Sequence, residues 1–285
     1  MSCIRWLSLL LLLVGSGASA QQEGLPWMLS LSAVRDENAY EHAVGSFHLG
    51  VAESTWLSVV AGSSHAPSVE ADVRARLLGI DIEHDFGPAG FALGVESWGD
   101  EDNLESSDVR AELFFRRDRF RVGLNAERRD IDIFFSADGA PRLTDLRQFV
   151  IEAEGLGLGG RYRISDDWQI YGSWMEYDYP QRIRVVPRAD RLSLLSVSTV
   201  TLAYSFVDYF ATVGFEKSFG QTLLNVDVMR DRSAIDQSEL SSVRAAVLIP
   251  VALRLDIEVA VGRSRLESGS SSYHGGITFL VYGGG

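Results

Sequence analysis

Cysteine is almost absent: the chain carries one, Cys3, close to its N-terminus. A lone thiol closes no disulfide and builds no cysteine metal cluster. Lysine is nearly missing as well, because of 26 basic residues only Lys217 is a lysine. Against those 26 stand 39 acidic residues, and the net charge of −13 leaves no basic surplus for a nucleic-acid backbone. Apolar runs long enough for a membrane helix, about 20 residues, are missing too. The leucine-rich stretch Trp6–Val14 is far shorter. With Arg5 before it and Ala18-Ser19-Ala20 after it, it reads as a secretory signal peptide over residues 1–20, cleaved before Gln21. Cleavage would take Arg5 away, moving the charge from −13 to −14. Cys3 precedes the apolar core, so it is not placed as a lipoprotein anchor, and cleavage removes the only thiol.

What remains, residues 21–285, is not divided by any proline-rich or low-complexity linker and is expected to form one domain. Its organising signal is alternation. Leu253, Leu255, Ile257, Val259 and Val261 fall on one side of an extended segment, with Arg254, Asp256, Glu258, Ala260 and Gly262 on the other. Side chains of a strand point alternately to opposite faces, so one face is an apolar stripe and the other is polar. The same period recurs along the chain, as in Phe120, Val122, Leu124 and Ala126 against Arg121, Gly123, Asn125 and Glu127. Fourteen segments of this kind are predicted, the fourth spanning Val69–His84, the tenth Leu192–Phe219 and the thirteenth Leu253–Arg263. A phase slip at Val207-Asp208 is read as a bulge in the tenth, which keeps the number even. Twelve and sixteen are the nearest alternatives. Short turns at Glu53, Gly87, Asp118, Asp166, Gly220 and Pro250 alternate with longer connections.

Strands that are apolar on one face and charged on the other, joined by alternating short and long connections, predict an all-β fold: an antiparallel transmembrane barrel. The closing segment His274-Gly275-Gly276-Ile277-Thr278-Phe279-Leu280-Val281 resembles the C-terminal signal of bacterial outer-membrane barrels, a polar residue and a glycine followed by hydrophobic residues two apart. It departs from that signal in lacking a terminal aromatic, since Tyr282 is out of phase. The resemblance implies a porin-like barrel in the outer membrane of a Gram-negative bacterium. It also implies outer-membrane lipids as surroundings and the barrel assembly machinery as a partner of the last strand.

A charge facing lipid at mid-depth costs roughly 2–4 kcal/mol for Arg, so charges in the strands are expected to face the lumen. The residues so assigned are Asp72, Arg74, Arg76, Glu96, Arg110, Glu112, Arg121, Arg161, Arg163, Arg244, Arg254, Asp256 and Glu258, with Glu70, Glu127 and Asp227 beside them. Trp27, Trp168, Phe215, Phe219 and Tyr282 are candidates for an aromatic girdle at one rim, Trp98 and Trp174 at the other. Gly155-Leu156-Gly157-Leu158-Gly159-Gly160 contains GxGxxG, but the strand Arg161-Tyr162-Arg163-Ile164 follows where a dinucleotide site needs a helix. The glycines are read instead as a place where the strand bends or where room is left in the lumen. Among five histidines Ser63-Ser64-His65 is the nearest approach to a nucleophile and base, and of its two serines only Ser63 can share a face with His65; a triad also needs a third orienting group, which spacing does not supply. His42 and His65 lack metal-ligand spacing. No catalytic residue, cofactor or metal is therefore expected. Three functions stay open: a passive pore for small polar or cationic solutes, a non-conducting structural or surface-binding barrel, and a barrel enzyme of lipase or protease type.

Overall fold

A computed structural model describes residues 24–66, 73–100, 104–134, 148–179, 206–234 and 237–284. The segment read as a signal peptide lies outside them. Fourteen strands follow in order: β1 (Trp27–Asp36), β2 (Glu41–Ala52), β3 (Thr55–Ala66), β4 (Val73–Asp85), β5 (Ala89–Asp100), β6 (Leu104–Arg117), β7 (Phe120–Phe134), β8 (Gln148–Arg163), β9 (Trp168–Asp178), β10 (Val207–Phe219), β11 (Thr222–Ser233), β12 (Glu239–Ala252), β13 (Leu255–Leu266) and β14 (Ser271–Gly283). Each pairs antiparallel with its sequence neighbours, and β1 pairs with β14, so the sheet closes on itself. The fold is an all-antiparallel barrel of fourteen strands. No helix of the described residues is long and apolar enough to cross a membrane.

The outer face explains why these segments form strands. Leu78, Ile80 and Ile82 on β4, Leu113 and Phe115 on β6, Val122 and Leu124 on β7, Leu156 and Leu158 on β8, and Val259 and Val261 on β13 are all exposed. They repeat at every second position, so each strand contributes three or four apolar side chains to one continuous belt. A solvated protein rarely leaves an apolar surface of that extent bare, whereas a bilayer requires it. At the rim of short turns the belt ends in aromatic pairs on the outer face. Trp168 packs on Phe215 with ring centroids 5.6 Å apart, Phe115 on Phe120 at 5.9 Å and Trp27 on Phe47 at 6.2 Å. The amine of Lys217 lies 4.9 Å from the Trp168 ring.

Several boundaries differ from the sequence reading. β4 begins at Val73, and residues 69–72 lie outside the described part. β10 begins at Val207, with Leu192–Ser205 likewise outside. The register of β10 on β11 shifts between Val207 and Tyr209, a local irregularity at the strand's first residues, and the stretch that the sequence reading joined to it lies outside the described part. Pro250 sits inside β12 beside a second register shift, and the turn falls later, at Leu253-Arg254. Pro250 carries no N–H to donate, so an irregular position near a strand end suits it.

Candidate functional site

The inner face is defined by side chains that reach over one or two intervening strands. Arg121 of β7 bonds to Glu83 of β4, Arg110 of β6 to Asp81 of β4, Arg129 of β7 to Tyr177 of β9, and Asn225 of β11 to Tyr171 of β9. Such chords are short only on the concave side of a closed sheet. The lumen is therefore lined by the phase opposite to the apolar belt.

Four arginines organise this lining, and each is held between two carboxylates. Arg110 lies 3.2 Å from both Asp81 and Glu96. Arg121 is 3.3 Å from Glu83 and 3.0 Å from Glu112, with its guanidinium 3.8 Å over the Phe114 ring. Arg129 pairs with Glu127 and with Asp108 at 3.6 Å, and donates to the Tyr177 hydroxyl at 2.8 Å. Across the barrel Arg244 pairs with Glu258 and with Asp227 at 3.4 Å. Four cations thus meet eight anions, and the set carries four negative charges in excess. Ser106 and Trp98 also donate to Asp108, at 2.6 and 3.3 Å.

The wall built by β14, β1, β2 and β3 is different. His48 bridges Ser46 at 3.1 Å and Ser58 at 2.8 Å, and Thr278 donates to Ser32 at 3.1 Å. These are hydroxyl groups and one imidazole. A third kind of lining sits towards the long-connection end, where Ile131, Ile151 and Phe206 form one buried apolar cluster and Ala153, Met175, Tyr177 and Val207 another. Tyr179 packs against both and donates to the Val207 carbonyl at 2.8 Å. Burial raises its phenol above the ordinary value, so it remains a neutral donor.

Glycines make room for this lining. A Cβ on Gly94 would come 1.9 Å from a carboxylate oxygen of Asp81, and one on Gly123 would come 2.3 Å from Glu112. In the glycine run of β8, Gly155 underlies the Tyr177 ring and Gly157 the Met175 sulfur, at 2.6 and 2.9 Å from the missing Cβ. The run seats neighbouring side chains flat against the wall.

The structure places the sequence-assigned charges as follows. Glu96, Arg110, Glu112, Arg121, Arg244 and Glu258 lie in the pairs just described, together with Glu127 and Asp227. Asp256 accepts from Tyr282 at 3.0 Å. Arg161 and Arg163 lie on the inner phase of β8, exposed near the short-turn rim. Three assignments are corrected. Arg74 and Arg76 share the phase of Leu78, Ile80 and Ile82 and so face outward, while Ala75 is buried inside. Arg254 is exposed in the β12–β13 turn. Glu70 and Asp72 lie outside the described residues. Tyr282 and Trp98, read as girdle aromatics, point into the lumen through their hydrogen bonds to Asp256 and Asp108. Asp81, Glu83, Asp108 and Arg129 were missed. Ser63 and His65 share the outer face of β3, whereas His42 stacks on Tyr40 with centroids 6.3 Å apart on the inner phase of β2, so the two histidines do not converge. Among the described residues no three His, Cys, Asp or Glu side chains gather as a metal site.

No family model matches the chain, and neither does any curated protein sequence. Solved structures do match. The CymD monoaromatic hydrocarbon channel superposes with a TM-score of 0.55 at 12% identity, over 93% of this chain and 90% of that one. CdiB from Acinetobacter baumannii gives 0.50 at 10% identity, over 93% of this chain and 61% of that one. The fold is that of the porin-like outer-membrane barrels. At these identities the likeness concerns architecture, and the chain is assigned to no specific family within the class.

Proposed function

We propose that the chain is a passive pore for small polar or cationic solutes in the outer membrane of a Gram-negative bacterium. The signal peptide at residues 1–20 would deliver it, and β14 would present it to the barrel assembly machinery. Channel barrels among its structural neighbours and the apolar outer belt support the location. The observation that carries the solute class is the ratio of two carboxylates to each clamped arginine on the lumen wall. An arginine already held by two carboxylates has little capacity left for a passing anion. The surplus negative charge instead raises the local concentration of cations within a low-dielectric wall.

Reversal potentials across a KCl gradient in planar bilayers test this. Mild cation preference is expected, declining as salt shortens the Debye length from about 8 Å at physiological strength to about 3 Å at 1 M. Anion preference would overturn the reading. The apolar clusters around Phe206 and the ion pairs that hold the lumen wall favour a second possibility, a barrel closed for structural use. Absence of conductance from protein shown to be folded would select it.

A further inference from the structure

Above the apolar belt, on the side of the long connections, the outer face is electrically lopsided. From β13 round to β4 it presents Arg263, Arg265, Arg35, Arg74 and Arg76, with Glu41 as the acidic residue among those strand positions. On β7 to β9 it presents Asp130, Glu152, Glu154, Glu176 and Asp178, and the one arginine there, Arg128, is taken by Asp130 and Glu152 at 3.4 and 3.3 Å. In a chain of net charge −13 a cationic outer sector is unexpected on composition alone.

The arginines flank a shallow trough of small side chains. Ala33, Ala43 and Ser63 are register partners in a row across β1, β2 and β3, and Ser63 is opposite Arg76 on β4. Gly275 lies opposite Arg35, and a Cβ there would meet only one atom, 3.8 Å away. On the far flank Arg263 lies over the Tyr273 ring at 5.3 Å and donates to Ser271, an arrangement that fixes the guanidinium without neutralising it. Among the described residues Arg74, Arg263 and Arg265 have no carboxylate partner, and the Arg35–Glu41 pair is open to solvent with 69% and 53% of its side chains exposed.

We propose that this β13–β14–β1–β2–β3–β4 sector is a binding site for a phosphorylated lipid headgroup of the leaflet on the long-connection side. The site lies at headgroup height, since apolar positions end directly below it on every contributing strand. Guanidinium groups match phosphate oxygens in bidentate geometry. The trough leaves space for the sugar or glycerol body between the two arginine flanks. The acidic β7–β9 sector repels the same headgroup. The idea is independent of whether the lumen conducts, so a failed conductance experiment leaves it standing.

The test uses full-length folded protein in phosphatidylcholine nanodiscs doped with either diphosphoryl lipid A or its dephosphorylated analogue. Native mass spectrometry should show about tenfold greater retention of the phosphorylated lipid. R74A/R263A/R265A should abolish that difference, and E152Q/E154Q on the opposite sector should not. Heat-modifiable gel mobility verifies folding. Photo-crosslinkable lipid A on the unaltered protein supplies a readout without any substitution, and adducts should fall on β13 to β4. Equal retention of the two lipids, or adducts concentrated on β7 to β9, would sink the proposal. So would a dimer dissolved by the triple variant in lipid-free detergent, which would make the sector a contact between copies. Competition by free inorganic phosphate at millimolar concentration would show an adventitious anion patch instead of a headgroup site.

Discussion

Arg129 has 13% of its side chain exposed, and its partners Glu127 and Asp108 have 6% and 4%. Removing one member of a pair this enclosed strands the others without solvent, at a cost of roughly 3–5 kcal/mol. Arg110, with 38% exposed, is screened by water, and its pairs are worth about 1 kcal/mol or less. Arg129→Met is therefore expected to lower the urea midpoint of the folded barrel in vesicles much more than Arg110→Met. Adding Glu127→Gln and Asp108→Asn should recover part of the loss. Equal effects of the two single substitutions would refute the distinction. Part of this was legible at the residue scale. Glu127 and Arg121 alternate cleanly with Leu124 and Ala126, so their face could be read. Arg74 and Arg76 could not be placed from Glu70 and Asp72 alone. The apolar stripe Leu78-Ile80-Ile82 continues their phase, and that stripe, being the costly one to misplace in lipid, is the better guide. It would also have found Asp81 and Glu83.

Strands were legible wherever one face was lipid and the other lumen, because the two solvents impose opposite polarities at a period of two. Thirteen segments could be found that way; the tenth also needed the even strand number, since the slip at Val207-Asp208 fits a bulge or a turn equally by alternation. Ends were less legible. Above the belt the outer face turns polar while the lumen side carries Ile131 and Ile151, so the alternation that marks β7 up to Ala126 reverses its polarity through Arg128, Asp130 and Asp132. The contrast between faces gives a prediction for β7. Leu124 is 62% exposed on the belt, so Leu124→Arg should destabilise the inserted barrel by roughly 2–4 kcal/mol. Its neighbour Asn125 lies on the inner phase, opposite Glu112 on β6 and two residues from Glu127 on its own strand, so Asn125→Arg meets carboxylates and should be tolerated. Comparing insertion yields into phosphatidylcholine vesicles measures both, and equal loss would mean that the faces are wrongly assigned. Glycine positions in β8 carry a different kind of information. Gly155 and Gly157 are set by the bulk of Tyr177 and Met175 on β9, which no local pattern in β8 announces.

For the whole molecule, the start of β1 and the end of β14 lie at the short-turn rim and the longer connections at the other. Outer-membrane barrels place short turns in the periplasm. Epitope tags inserted at Glu37-Asn38 or at Gly269 are expected to stain on intact cells, and tags in the Asp118 or Asp166 turns are expected to stain only after permeabilisation. The reverse pattern would invert the topology. Class and strand number were available from sequence because they follow from a pattern repeated fourteen times, so no single misread position changes them. The lumen was not available, because it depends on chords such as Arg121 to Glu83 and Arg129 to Tyr177 that span strands distant in sequence.

The seam between β1 and β14 has a kinetic consequence. Its register joins Trp27 to Gly283 and Asp36 to His274, so every backbone bond in it closes a loop of almost the entire described chain. All other pairings join adjacent hairpin partners. Until the last strand has arrived, two edges of unpaired N–H and C=O groups face outward, each group costing several kcal/mol if it meets hydrocarbon. A partly inserted sheet is therefore a high-energy species, and barrel formation in a bilayer should proceed with its strands crossing in concert instead of one hairpin at a time. A chain ending before Ser271 would keep most of its apolar belt and still have no stable way to remain in the membrane.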